Sequence, residues 1–212
     1  MKKIFLITFF LAFAISQSAY GQVDLNFLAG INNSSCKFEN FTGISPKSRW
    51  GYFIGVGTNY PISEKVQFLI DFQYSLKGYN LGNNNNLSAS GFRYSYIDII
   101  PEIEYKVLNY LVLGAGINYA IKLDEEQKFE NKGWVSAKES EVIKSSDFGL
   151  TGKIKVFHRN IFGFIRYNLG LSDIADATFT DENGQEIENA KQLNRNLQFG
   201  IGYKFNLRKK KK

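Results

Sequence analysis

NLQFGIGYKF, residues 196–205, sets Leu197, Phe199, Ile201, Tyr203 and Phe205 against Asn196, Gln198, Gly200, Gly202 and Lys204. Successive side chains of a strand point to opposite faces, so this stretch reads as a strand with one wholly apolar face and one small or polar face. Working back along the chain, the same design recurs. Val66, Phe68, Ile70, Phe72, Tyr74 and Leu76 alternate with Gln67, Leu69, Asp71, Gln73, Ser75 and Lys77, and Leu111 to Ile121 alternates with Val112 to Lys122. Asp147–Val156 and Val23–Asn32 behave likewise, and Trp50–Ile62, Phe92–Val107 and Ile161–Asp173 are less regular versions. Pro101 lies inside one of these; lacking an N–H, it predicts an irregular point in the ladder.

These are about eight strands, each at or above the roughly 9–11 residues that a tilted membrane-crossing strand needs. Strands of ordinary globular proteins cluster near ~5–6 residues. The connections alternate in length: short at Pro61–Glu64, Leu108–Asn109 and His158–Asn160, long and polar near 33–49, 78–91, 123–146 and 174–192. Short turns on one side and long loops on the other are the habit of an outer-membrane barrel. The expected fold is all-β: an eight-stranded antiparallel up-and-down transmembrane β-barrel in the cell outer membrane. An even strand count puts both termini on the periplasmic side.

The N-terminus reads as an export signal. Lys2-Lys3 precede an apolar run from Ile4 to Ile15, and Ala19 and Gly21 supply small residues for a peptidase. The run is too short to span a bilayer as a helix. Residues 1–21 are therefore expected to be a cleaved signal peptide, 22–207 the barrel and 208–212 a basic tail. Cys36 is the single cysteine, so no intramolecular disulfide is available. The net charge of +6 belongs to the ends: of 26 basic residues, two leave with the leader and five lie in 208–212, leaving 19 against 20 acidic ones. A near-neutral body in an exported protein excludes nucleic acid as a partner.

The chemistry is expected inside. Asp71, Asp98, Glu102 and Glu104 fall on the polar faces of the third and fourth strands, and Lys153, Lys155, Arg166 and Lys204 on those of the last three. Eight strands leave a bore that side chains just fill, so these eight residues predict an ion-pair network that plugs the lumen. Outward aromatics should mark the two interfaces: Tyr60, Tyr105, Tyr110, Phe157 and Phe205 at the periplasmic rim, and Trp50, Tyr52, Tyr79, Phe92, Tyr94 and Phe148 at the outer rim. Glu102 and Glu104 could in principle serve as an acid–base pair, but the nearby cations favour a structural ion pair. His158 is the single histidine and sits in a tight turn, which leaves no material for a His-based triad or a multi-His metal site. Gly114-Ala-Gly116 and Gly200-Ile-Gly202 open no helical pattern and read as small residues facing a crowded interior rather than nucleotide loops. Asn83–Asn86, the mixed-charge loop 124–144 and the acidic loop with Asp173, Asp176, Asp181, Glu182, Asn183 and Gly184 read as solvated. No enzyme activity, cofactor or metal is expected.

Several short stretches together resemble a family: GYFIGVG at 51–57, FQYSLKG at 72–78, YIDIIPE at 96–102, LGAG at 113–116, RYNLGLSD at 166–173 and NLQFGIGY at 196–203. They are similar to the PorT-like outer-membrane β-barrel proteins common in Bacteroidota. The resemblance implies insertion by the barrel-assembly machinery and, as one alternative, a part in type IX protein secretion. From the residues themselves, the expected role is a non-enzymatic barrel in contact with outer-membrane lipid, structural or binding a protein partner through its outer loops or periplasmic side. A small pore or uptake protein is the other alternative. Cell fractionation with surface proteolysis tests this reading: the protein should sediment with the outer membrane and be cut from outside, and recovery in the soluble periplasm without detergent would sink it.

Overall fold

In the computed structural model, residues 23–40, 45–82, 89–129, 131–137, 143–176, 187 and 189–206 are described. The expected signal peptide, the Asn83–Asn86 tract, parts of the charged loops (including Glu130, Lys138, Glu139 and 181–184) and the 208–212 tail lie outside them. Alternating β-branched and aromatic residues extend into β1 (Asp24–Glu39), β2 (Pro46–Pro61), β3 (Val66–Leu81), β4 (Ala89–Lys106), β5 (Leu111–Phe129), β6 (Gly133–Ser136), β7 (Ser146–His158), β8 (Ile161–Gly170) and β9 (Lys191–Asn206). All pairings are antiparallel, in the order β4-β3-β2-β1-β9-β8-β7-β5-β6, and β4 also pairs with β5. Each of the eight long strands therefore has a hydrogen-bonded neighbour on both sides, and their pairings run in a ring. The ninth strand, β6, is a four-residue addition that pairs with the end of β5 inside the long connection to β7. Eight strands were expected; the extra one is too short to show as a period-two run.

The register sets which side chains share a face. First and last strands pair from Asp24↔Asn206 to Glu39↔Lys191, so the start of β1 and the end of β9 lie side by side. At Pro101 the β4–β5 ladder lapses, but the register is the same on either side, Ile99↔Tyr119 and Glu102↔Gly116. The bulges of this pair lie elsewhere, between Ala89 and Gly91 and between Ser95 and Tyr96. Glycines on β9 make room for rings on β8: a Cβ at Gly200 would come 2.3 Å from the Phe164 ring, and one at Gly202 equally close to Phe162.

Burial is inverted relative to a soluble domain. Phe27, Ile54, Leu150, Ile154, Ile165, Phe199 and Ile201 are exposed, Ile201 at 61%, whereas Asp98, Glu104 and Arg166 are at 0%. An exposed apolar residue is ordinary singly, but a continuous outward band around buried charge is what a lipid-facing wall requires. On β9 the outward apolar run covers residues 197–205, close to the roughly 9–11 residues of a crossing strand. Strands of 16 to 19 residues outrun that band on the long-loop side, and there the outer wall turns polar at Lys37, Arg93, Glu126 and Lys128.

Two long connections are tied together above the ring. Ile143 bridges Ala175, Ile143 and Ile174 are fully buried, and Lys144 lies 3.2 Å from Asp173. Burial pushes the Asp173 carboxyl up, but N–H groups of Gln192 and Ala175 and the Lys144 ammonium outweigh it and hold the carboxyl below its usual value.

The inverted faces make a prediction. Ile201→Lys, at the centre of the outward run on β9, should cost about 2–4 kcal/mol in urea unfolding of vesicle-inserted protein. A soluble protein would tolerate lysine at so exposed a position, so a change under about 0.5 kcal/mol would remove the lipid-facing assignment.

Candidate functional site

Six of the eight residues expected inside meet in one buried network. Asp71 comes from β3, Glu102 and Glu104 from β4, Lys153 and Lys155 from β7, and Arg166 from β8. Arg166 Nη2 pairs with Asp71 and lies 3.1 Å from Glu102. Lys153 pairs with Glu102, stands 2.7 Å from Glu104 and is 3.8 Å from Asp71. Lys155 Nζ is 2.6 Å from the Glu104 carboxylate. Three carboxylates thus face three cations, all of them buried. An ion taken from water costs several kcal/mol, repaid only by close partners with the remaining donors and acceptors satisfied. Gln73 and Gln198 accept from Arg166 Nη1 at 3.3 and 3.4 Å, Gln67 donates to Glu104, and Thr151 Oγ1 lies 3.5 Å from Glu102.

The backbone beneath explains how strands that are not neighbours meet. β4 and β7 are separated by β5, whose residues opposite Glu102 and Glu104 are Gly116 and Gly114. Across the next pairing, Gly116 faces Thr151 and Gly114 faces Lys153. A Cβ at Gly114 would press on the Glu104 and Lys153 side chains at 3.3–3.4 Å. At Gly116 it would meet the Pro101 carbonyl oxygen at 2.1 Å and the Glu102 Cγ at 3.0 Å. The two glycines leave a trough in the wall through which carboxylates of one strand reach lysines two strands away. Gly57 does the same for Asp71 from β2.

The other two expected members stand apart. Asp98 pairs with Lys77 at 2.7 Å and accepts from Ser75 Oγ and Gln73 Nε2, which places it nearer the long loops. Lys204 lies 2.8 Å from Asp24 across the β1–β9 pairing, near the turn end. Lys77 and Asp24 sit on the polar faces of their strands; what the sequence lacks is the register that pairs them. Two further buried polar sets were not anticipated: Lys122 with Glu125 at 3.1 Å, and Asp147 accepting from Asn194 and Ser172.

Rings share the rest of the interior with buried amides such as Asn32, Asn118 and Asn168, and here the expected girdle needs correcting. Trp50, Tyr52 and Phe148 are exposed as expected, as are Tyr60, Tyr105, Tyr110 and Phe205. Tyr79, Phe92 and Tyr94 instead point inward and pack with Tyr96, Leu81, Cys36, Ile143 and Ile174 into a buried cluster at the long-loop end. They share the parity of the inward residues Lys77 and Asp98, and that overrides their position near strand ends. Phe157 also packs inward, against Phe162. A second cluster joins Leu28, Phe53, Phe162 and Phe164, and the cations lie on its rings, Arg166 over Phe164 and Lys155 over Phe162, each at 5.2 Å. At the turn end a cavity of about 370 Å³ is bordered by Lys65, Gln67, Lys106, Asn109 and Lys204. His158 is exposed at the end of β7. Among the described residues, no group of three or more His, Cys, Asp or Glu could hold a metal ion.

Such a set can hold charge, exclude water and fix the wall's shape. Replacing Arg166 by Met leaves Asp71 and Glu102 short of a partner and should cost about 3–5 kcal/mol in urea unfolding. Adding Asp71→Asn should recover part of that loss. A single-variant cost under about 1 kcal/mol would mean that the network does not hold the interior.

A family model for the outer membrane protein beta-barrel domain matches residues 15–176. No curated protein sequence matches the chain. Solved structures similar to it include Ail, the attachment invasion locus protein of Yersinia pestis (13% identity, 87% of this chain and 99% of that one, TM-score 0.49). Neisserial surface protein A (12%, 85% and 97%, TM-score 0.48) and the outer membrane protein OprG from Pseudomonas aeruginosa (14%, 86% and 95%, TM-score 0.47) are similar at the same level.

Proposed function

This chain belongs to the outer membrane protein β-barrel domain family, and from that premise we propose that it is a filled, non-conducting, non-enzymatic barrel that works through its long outer loops. The observation that carries this reading is the interior itself. Balanced charges and stacked rings occupy the space within the ring of strands, with Lys153, Lys155 and Arg166 almost wholly shielded. Ions held that tightly to fixed partners do not leave a continuous water path, and an eight-stranded bore is narrow to begin with. What the barrel presents outward is then a stiff tube ending in polar connections, suited to holding a protein or surface component at the cell exterior.

In this reading residues 1–21 are removed on export, 22–207 form the barrel, and both termini face the periplasm, where 208–212 form a basic tail. The start of β1 and the end of β9, Asp24 and Asn206, lie on the short-turn side of the sheet, which supports that orientation. The PorT-like assignment, and with it a part in type IX secretion, rests on the sequence resemblance alone. The cavity at the turn end favours a second reading, a small uptake pore entered from that side.

Planar-bilayer recording separates the two. The purified protein should give no steady current, while a variant with Glu102, Lys153 and Arg166 all changed to Ala should give discrete conductance steps. Steady current from the unmodified protein would reject the filled-barrel reading in favour of the pore.

A further inference from the structure

Above the apolar band the outer wall carries a second cluster. Arg49 on β2 and Arg93 on β4 both set their guanidinium carbons over the indole of Trp134 on β6, at 4.7 and 4.6 Å from the ring centroid. Arg93 is ion-paired with Glu126 on β5. Arg49 has no such pair among the described residues, and its Nη1 is shielded from solvent without a hydrogen-bond partner among them. Lys47 and Lys128 stand exposed in the neighbouring row, aligned through Lys47↔Asn80, Asn80↔Gly91 and Gly91↔Lys128.

The height of this cluster is set by what lies beside it. Trp50, next to Arg49, and Tyr52 are exposed aromatics, and Tyr52 packs on Tyr74 with ring centroids 6.0 Å apart. Toward the turn end the same face of β2 continues with Ile54. The cluster therefore sits where the outer face passes from aromatic to charged, which in a barrel is the headgroup level. A guanidinium there is weakly hydrated, planar and able to present two parallel N–H groups to a phosphate. Trp134 holds both cations by its ring face without neutralising either.

We propose that Arg49 and Arg93, held by Trp134, bind the phosphate headgroup of an anionic lipid in the outer leaflet. This rests on the membrane-barrel reading above. It also accounts for β6, because the short strand carries the indole over the end of β5, toward the two arginines.

The two tryptophans of the chain make a direct test. With Trp50→Phe in place, Trp134 is the single indole fluorophore. This protein is refolded into phosphatidylcholine vesicles containing an increasing fraction of phosphatidic acid, and heat-modifiable gel migration monitors insertion in every sample. The expected result is a saturable, salt-sensitive change in Trp134 emission with phosphatidic acid. Adding Arg49→Gln and Arg93→Gln should weaken the apparent affinity at least about tenfold, the loss expected for charged hydrogen bonds, with insertion unchanged. Absence of the change in inserted protein, or an equal response in the doubly substituted protein, would overturn the site. The same response to inorganic phosphate over pure phosphatidylcholine would overturn the lipid as its occupant. Failure to insert at all would instead strike the membrane-barrel reading, and gel migration reports it separately.

Discussion

Three carboxylates and three cations share one dehydrated space, and each finds its counter-charge in the others. That mutual dependence organises the rest of the structure. It requires β3, β4, β7 and β8 to present their charges at matching heights, and it requires β5 between them to carry no side chains at two successive inward positions. Gly114 and Gly116 meet that requirement. Phe162 and Phe164 then supply ring faces for Lys155 and Arg166, and Gly200 and Gly202 on β9 clear the room those rings need. Small, charged and aromatic inward residues are thus parts of one packing solution rather than three features.

The outer face answers to a different constraint. With lipid outside, backbone groups cannot be satisfied by water, so pairing on both sides of every crossing strand is the condition for spanning. Ring pairing supplies this for the eight long strands, and it leaves the outward side chains free to be as apolar as Ile54 and Ile201. Charged groups appear on the wall beyond the band, where the Arg49, Arg93 and Trp134 cluster forms. Inside and outside are therefore chemically independent surfaces on one sheet, linked by nothing but parity.

Parity is also why so much is legible in the sequence. Period-two alternation identifies the eight long strands and puts Asp71, Glu102, Glu104, Lys153, Lys155 and Arg166 on inward faces. It would place Tyr79, Phe92, Tyr94 and Phe157 inward as well; the expectation for those four followed proximity to strand ends instead, and failed. Pairing is a different matter. Nothing in one sequence fixes the offset between strands that are not joined by a tight turn, so Lys204 with Asp24 and Lys77 with Asp98 can be seen as inward residues but not as partners. The strands also run past the expected loop boundaries, because hydrogen-bonded ladders continue through mainly polar stretches such as 33–39, whose hydrophobic signal is weak. A four-residue strand such as β6 has too few alternations to register at all.

The seam between β1 and β9 has a kinetic meaning. Its partners, from Asp24↔Asn206 to Glu39↔Lys191, are separated by nearly the whole length of the barrel sequence, whereas the turns at 62–65, 107–110 and 159–160 join strands a few residues apart. Loop-closure entropy makes the hairpins quick to form and the seam slow. Until the seam zips, the first and last strands are open edges, able to pair with any other strand they meet. For this chain, the interval between the fastest and slowest strand pairings is the period in which an escort for the unpaired edges matters most.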